Sequence, residues 1–180
     1  TGTFTRFMHD PKNPKSLVSD KVRAIFEDSR GNFWVGTDGD GLHIMDRKKG
    51  TFERLSYDRL KPEKLTRPPV KKGQSIDHIT FITEDLTGTI WIGTYMEGLV
   101  RYHPDTKTIM HFNSTDKNRL KGFTDNSGWC TYNSREGTLW FSTEQSKLFR
   151  IDPLQTGFSE VRMEGAIHQF LEDHSGNLLL

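Results

Sequence analysis

The 180 residues carry 25 Lys and Arg against 24 Asp and Glu, a net charge of +1, so no global field points to nucleic acid or an anionic membrane surface. The single cysteine, Cys130, excludes an internal disulfide framework and leaves the redox compartment open, and no apolar run is long enough to span a bilayer. Hydrophobic residues make up 33%, thin for a packed α/β core but sufficient for short half-buried strands.

The chain opens on TGTFTRFMHD, which lacks the apolar stretch of a signal peptide and matches GTFERLSYD at Gly50 to Asp58. That match predicts a last strand of a preceding unit over residues 1–10. A complete unit spans 15–58. Val22 to Phe26 is an apolar run with β-branched members, a candidate inner strand. It ends in Glu27-Asp28-Ser29-Arg30-Gly31, where the Asp can bond turn amides and the Gly can take a positive φ. Phe33 to Thr37 reads as the second strand, Asp38-Gly39-Asp40-Gly41 as a tight turn, Leu42 to Met45 as the third strand and Thr51 to Tyr57 as the fourth. No segment shows helical periodicity.

The pattern then repeats. AIFEDSRGNFWVGTDGDGLHIMD from Ala24 returns as FITEDLTGTIWIGTYMEGLVRYH from Phe81 and as CTYNSREGTLWFSTEQSKLFRID from Cys130. These place further units at 74–115 and 122–163, and QFLEDHSGNLLL starts another within 164–180. The indoles Trp34, Trp91 and Trp140 share one repeat position, 57 and then 49 residues apart, and Leu179 falls where a fourth would stand. The extra length is a Pro- and Lys-rich insertion at 59–73, whose Lys61, Lys64, Arg67, Lys71 and Lys72 read as a solvated loop or a polyanion contact.

Four-stranded antiparallel meanders of this period form β-propeller blades, because one unit cannot bury its own apolar faces. A solenoid is the rival, but three tight hairpins per unit favour blades. The expected fold is all-β, a partial ring of about three and a half to four blades within 1–180. Trp34, Trp91 and Trp140 are expected to pack between blades, with Gly36 and Gly93 allowing close approach of an adjacent sheet. Such a slice is expected to belong to a longer polypeptide and, alone, to self-associate through open edges.

The order of apolar strand, Glu-Asp, Gly turn, aromatic-Trp, Gly-Thr and Gly-Leu resembles the two-component regulator propeller repeat. Glu27, Asp28, Gly31, Trp34, Gly36, Thr37, Gly41 and Leu42 carry the match, then Glu84, Asp85, Gly88, Trp91, Gly93, Thr94, Gly98 and Leu99. The third copy departs from it at Asn133-Ser134, Ser142 and Lys147. The resemblance implies a periplasmic sensor region of a Bacteroidetes-type hybrid histidine kinase, without enzymatic activity of its own. It also implies carbohydrate signals, with the remaining blades and the membrane-spanning and kinase segments lying elsewhere in a parent chain.

Connections from fourth to first strand share one face with those from second to third strand. That face is expected to carry Asp38, Asp40, Tyr95, Glu97, Trp129, Glu144 and Gln145, a mixture of carboxylate, amide and aromatic groups suited to a sugar. Trp129 lies off the register of the other indoles, beside Gly128, and is the one expected to face a ligand. No HxxxH or HxH spacing occurs, and position twelve counted from Asp38 is Lys49 rather than a calcium-binding Glu, so no metal or cofactor is expected. Asp28 stands three before Gly31 and six before Trp34, which fails the sialidase turn pattern. The acidic residues sit in turns, where polar groups belong anyway, and no catalytic residue is assigned. A propeller lyase and a dimerisation scaffold remain the alternatives. The expected partners are an oligosaccharide and a second copy of the chain, with no nucleic acid.

Overall fold

The computed structural model describes residues 2–39, 41–55, 78–114, 123–152 and 158–180. Among them every regular element is a strand. β1 (Val22–Glu27), β2 (Phe33–Thr37), β3 (Leu42–Asp46) and β4 (Thr51–Arg54) form one antiparallel sheet in chain order. β5 (Ile79–Glu84), β6 (Ile90–Thr94), β7 (Leu99–His103) and β8 (Thr108–Phe112) form the second. β9 (Thr131–Asn133), β10 (Leu139–Ser142), β11 (Leu148–Ile151) and β12 (Phe158–Val161) form the third, and β13 (Leu171–Glu172) with β14 (Leu178–Leu179) begins another. These are propeller blades in a partial ring, with β1 running beside β5 where the first two blades meet.

Each first turn follows one local rule. Gly31, Gly88, Gly137 and Gly176 hold φ values of 82°, 76°, 85° and 87° at the same position, the left-handed region that glycine enters without penalty. The Asp three residues before the Gly organises the turn. Asp28 accepts from the Arg30 and Asn32 amides at 3.1 and 2.8 Å and from the Trp34 indole at 2.9 Å. Asp85 accepts from Thr87 and Thr89 amides at 2.9 and 3.2 Å and from the Trp91 indole at 2.7 Å. One carboxylate therefore closes a hairpin and satisfies a buried indole N–H. Burial pushes the Asp28 carboxyl up, but its bonds from Trp34, Asn32 and the turn amides outweigh this and hold its pKa below the ordinary value.

The indoles point toward the next blade. Trp34, 2% exposed, packs with Ile79, Ile82, Ile90, Ile92 and Val100 of the second blade. Trp91, 1% exposed, packs with Phe81, Leu99 and Phe112 of its own blade and with Leu139, Phe141 and Phe158 of the third. Trp140 departs from the expectation. It is only half-buried, against Leu148, Ile167 and Phe170, because the two short strands beyond it cover less than a full blade does. Ser134, in the place of Asp28 and Asp85, uses its hydroxyl to accept from the Thr138 amide at 3.1 Å.

The two repeated glycines are filled differently. A Cβ on Gly36 would lie 2.5 Å from Ile79 of the next blade, whereas one on Gly93 would strike the Phe81 ring of its own first strand, with Gly128 at the entry to the third blade alongside. Ser142, at the same position in the third blade, donates to the Ile167 carbonyl at 2.8 Å instead. The Glu of the Glu-Asp pair, a matched residue without an assigned task, links blades. Glu84 accepts from the Ser29 amide at 2.6 Å and from Arg30 at 3.2 Å, and Glu172 accepts from Arg135 at 2.7 Å.

Residues 2–8, expected to form a strand, carry none. A fourth strand draws its backbone bonds from a third strand of its own sheet, and no described strand pairs with this segment. Phe4 is fully exposed, while Phe7 meets Phe52 edge-on at 5.7 Å. The insertion at 59–73 lies outside the described residues.

His43, where the other blades have Val100 and Phe149, is fully buried and ties the lead-in segment to the first blade. Its Nε2 accepts from the Val18 amide at 3.0 Å and its Nδ1 sits 3.1 Å from the Val35 carbonyl, an arrangement for neutral imidazole. Burial holds its pKa below the ordinary value. As pH falls through about 6.5 the unfolded chain takes up the proton first, so stability is full above that value and declines below it until the folded imidazole titrates. His43→Phe should flatten this part of the dependence. Urea midpoints across the acid range, wild type against variant, check it; an unchanged slope would assign the dependence to other groups.

Candidate functional site

The connections into each first strand and the turns after each second strand meet on one face through backbone bonds. Asp38 N donates to the Lys21 carbonyl at 3.1 Å and Tyr95 N to the His78 carbonyl at 3.1 Å. Gly128 N donates to Thr94 at 2.7 Å, Gly98 N to Asn126 at 2.6 Å, and Glu144 N to the Ser127 hydroxyl at 3.0 Å. These bonds bind each turn to the lead-in of its own or the following blade, so side chains far apart in sequence form a row.

The row begins with ion pairs and becomes aromatic. Arg23 Nε lies 2.7 Å from Asp38 Oδ1, with Lys21 at 3.6 Å from the same carboxylate. His78 stacks on Tyr95 at 4.9 Å with planes 10° apart. Tyr95 meets Trp129 at 6.2 Å, and Trp129 meets His168 edge-on at 5.8 Å. The Tyr95 hydroxyl donates to Glu144 Oε1 at 2.7 Å. Tyr95, His78 and Trp129 are half-buried; Glu97, Glu144, Gln145 and His168 are exposed.

Electrostatics assign different tasks to the two ends. The hydrogen bond from Arg23 holds the Asp38 carboxyl below its ordinary pKa against the opposing effect of burial, aided by the charges of Arg23, His78 and Lys21. Asp38 is 8% exposed and paired with Arg23 and Lys21, which corrects its expected place among open ligand contacts. The Tyr95 phenol is pushed up by its bond to Glu144 and stays a hydrogen-bond donor.

Of the expected residues, Tyr95, Trp129 and Glu144 come together in direct contact or through Tyr95. Gln145 follows Glu144 in the same turn, and Glu97 shares the turn of Tyr95, its amide donating to Thr94 Oγ1 at 3.0 Å. Asp40 lies outside the described residues. Lys21, Arg23, His78 and His168 were not foreseen. Repeat alignment held a signal for one of them, since His168 occupies the position of Trp129. Among the described residues no group of three or more His, Cys, Asp or Glu could hold a metal ion.

Residues 16–39, covering the lead-in, β1, the Asp28 turn and β2, match the model of the two component regulator propeller family. The match spans one such repeat, in the first blade. Over 112 residues it is 30% identical to histidine kinase P4 of Formosa agariphila, covering 59% of this chain and 7% of that protein. Two solved structures from B. thetaiotaomicron share its fold, each the extracellular domain of a protein described as a hybrid two component system. One aligns over 98% of this chain and 27% of its own at 18% identity and a TM-score of 0.50. The other aligns over 92% of this chain and 18% of its own at 22% identity and a TM-score of 0.51. The chain thus spans a small part of each relative. The matched segment lies in the first blade, and the row from Arg23 to His168 lies on the face where the turns of the blades meet.

Proposed function

We propose that this chain is part of the ligand-sensing propeller of a membrane sensor histidine kinase in a two-component system, on the periplasmic side of the inner membrane. The repeat and the similarity to a histidine kinase support the sensor reading. The extracellular domains that share the fold support the location. The remaining blades, the membrane-spanning segments and the kinase belong to other parts of the parent chain, and this segment binds without chemistry of its own.

We propose further that its signal is a carbohydrate held over Trp129 and Tyr95. The observation that carries this is the half-buried Trp129 ring beside Tyr95, whose hydroxyl is fixed on the exposed Glu144. A pyranose needs an apolar platform for one ring face and directed donors and acceptors for its hydroxyls; Glu144 beside Tyr95 and His168 beside Trp129 provide such groups, with Glu97 and Gln145 exposed in the turns of Tyr95 and Glu144.

Calorimetric titration with a panel of plant and host oligosaccharides checks this. For a sugar bound by the wild type, Trp129→Ala should weaken affinity roughly tenfold or more, about 1.4 kcal/mol or above, while Tm falls by only a few degrees, as for a half-buried ring. Binding that survives Trp129→Ala intact would remove the row as the site, and no binding by any sugar would count against a carbohydrate signal.

A further inference from the structure

The first-blade end of the row carries more positive charge than its carboxylate balances. Arg23 and Lys21 both meet Asp38, at 2.7 and 3.6 Å. The acid lies behind its partners: the Asp38 side chain is 11% exposed, against 48% for Arg23 and 70% for Lys21. A ligand on this face therefore meets the cations first. Arg23 spends Nε and Nη2 on Asp38, at 2.7 and 3.5 Å, which among the described residues leaves its Nη1 donors for another acceptor.

This charge adjoins the aromatic groups. Asp38 pairs with His78 in an isolated antiparallel bridge between the first and second blades, and the His78 ring stacks on Tyr95. Both blades are present in the chain, so the placement does not depend on what adjoins either end. Beyond Tyr95 the sign reverses. Glu144 takes the Tyr95 hydroxyl, and Glu97 is exposed in the Tyr95 turn. Charge is thus graded along the row, cationic at the first blade and anionic at the second and third.

We infer that the row takes an anionic sugar, its carboxylate or sulfate group on Arg23 and Lys21 and its ring over Tyr95 and Trp129. The inference rests on the carbohydrate reading above and narrows it. Asp38 holds the guanidinium in place from behind, so a planar fork of N–H donors is set before the ligand arrives. Lys21 adds attraction without direction, as a point charge does. An anion bound the other way round would face Glu144 and Glu97, so the gradient also sets the ligand's orientation.

Calorimetric titration with matched pairs of sugars tests this, added to the oligosaccharide panel. One pair is an oligogalacturonate and its carboxyl-reduced form; the other is a sulfated galactan oligomer and its desulfated form. At least one anionic member should bind roughly three- to tenfold tighter than its neutral partner, and the preference should shrink as salt is raised. Preference in one pair alone identifies the group as carboxylate or as sulfate. Arg23→Gln should lower the ratio of the two affinities toward one, a change that general loosening of the site would not produce. Lys21→Gln should lower it less and, at so exposed a position, serves as the second variant if Tm shows Arg23→Gln to be unfolded. Neutral and anionic partners bound alike overturn the inference and leave the carbohydrate reading standing. A preference that neither variant changes, or that salt does not weaken, overturns it too. Binding by no sugar of the panel removes both readings.

Discussion

Trp91→Ala is expected to lower stability by about 3–5 kcal/mol, the range for truncating a large aromatic in a packed core. The indole stacks on Phe112 at 5.9 Å, meets Phe158 of the next blade edge-on at 6.1 Å and carries the Arg101 guanidinium over its ring at 5.6 Å. Because Phe158 belongs to another sheet, the cavity opens between blades, and neither sheet can close it without moving as a body. Urea unfolding followed by near-ultraviolet circular dichroism measures the loss. A value below about 1 kcal/mol would show that the blades are not joined through this ring. Trp140→Ala provides the internal comparison. That ring is only half-buried, so its removal should cost roughly 1–2 kcal/mol.

Asp85→Ala is expected to cost about 2–4 kcal/mol, although it removes few atoms. Asp85 is 5% exposed and accepts four hydrogen bonds, from the Thr87 amide and hydroxyl, the Thr89 amide and the Trp91 indole. Alanine leaves the indole N–H and the Thr89 amide buried without an acceptor, and an orphaned buried donor costs more than the bond contributes. Hydrogen exchange at the Thr87 and Thr89 amides reports the turn directly. Slow exchange at these amides in the variant, together with wild-type stability, would mean that another group takes over the carboxylate's work. Combined with Trp91→Ala, the two losses should fall short of their sum, since both variants break the same contact.

The fold was largely legible because its determinants are local. Alternating apolar residues, a Gly at each left-handed turn position and one indole per unit place β1 to β12 to within a few residues. The exception at 2–8 follows from the same physics. A strand-like sequence becomes a strand only when a neighbour supplies its hydrogen bonds. The candidate site was legible in part. Tyr95, Trp129 and Glu144 could be put on one face by counting turns, but Asp38 could not be told apart from an open ligand contact. Arg23 reaches it from the neighbouring strand, and nothing in the spacing of the two announces an ion pair.

By itself the sequence determined the order of strands within each blade, the Gly at each first turn and the place of Trp34, Trp91 and Trp140 in each second strand. These depend on residues within one hairpin, where backbone geometry and side-chain period leave few choices. The six-residue step from Asp28 to Trp34 and from Asp85 to Trp91 was present in it too, though its meaning as a hydrogen bond across the hairpin needed coordinates. Tertiary structure alone decided what lies between blades. It set Ile79 against Gly36 but left Gly93 to its own Phe81, turned Glu84 toward Ser29 and Arg30, and lined up His78, Tyr95, Trp129 and His168. Those neighbours depend on how far each sheet rotates against the next. That rotation comes from the packing of whole faces, which no single segment of the chain encodes.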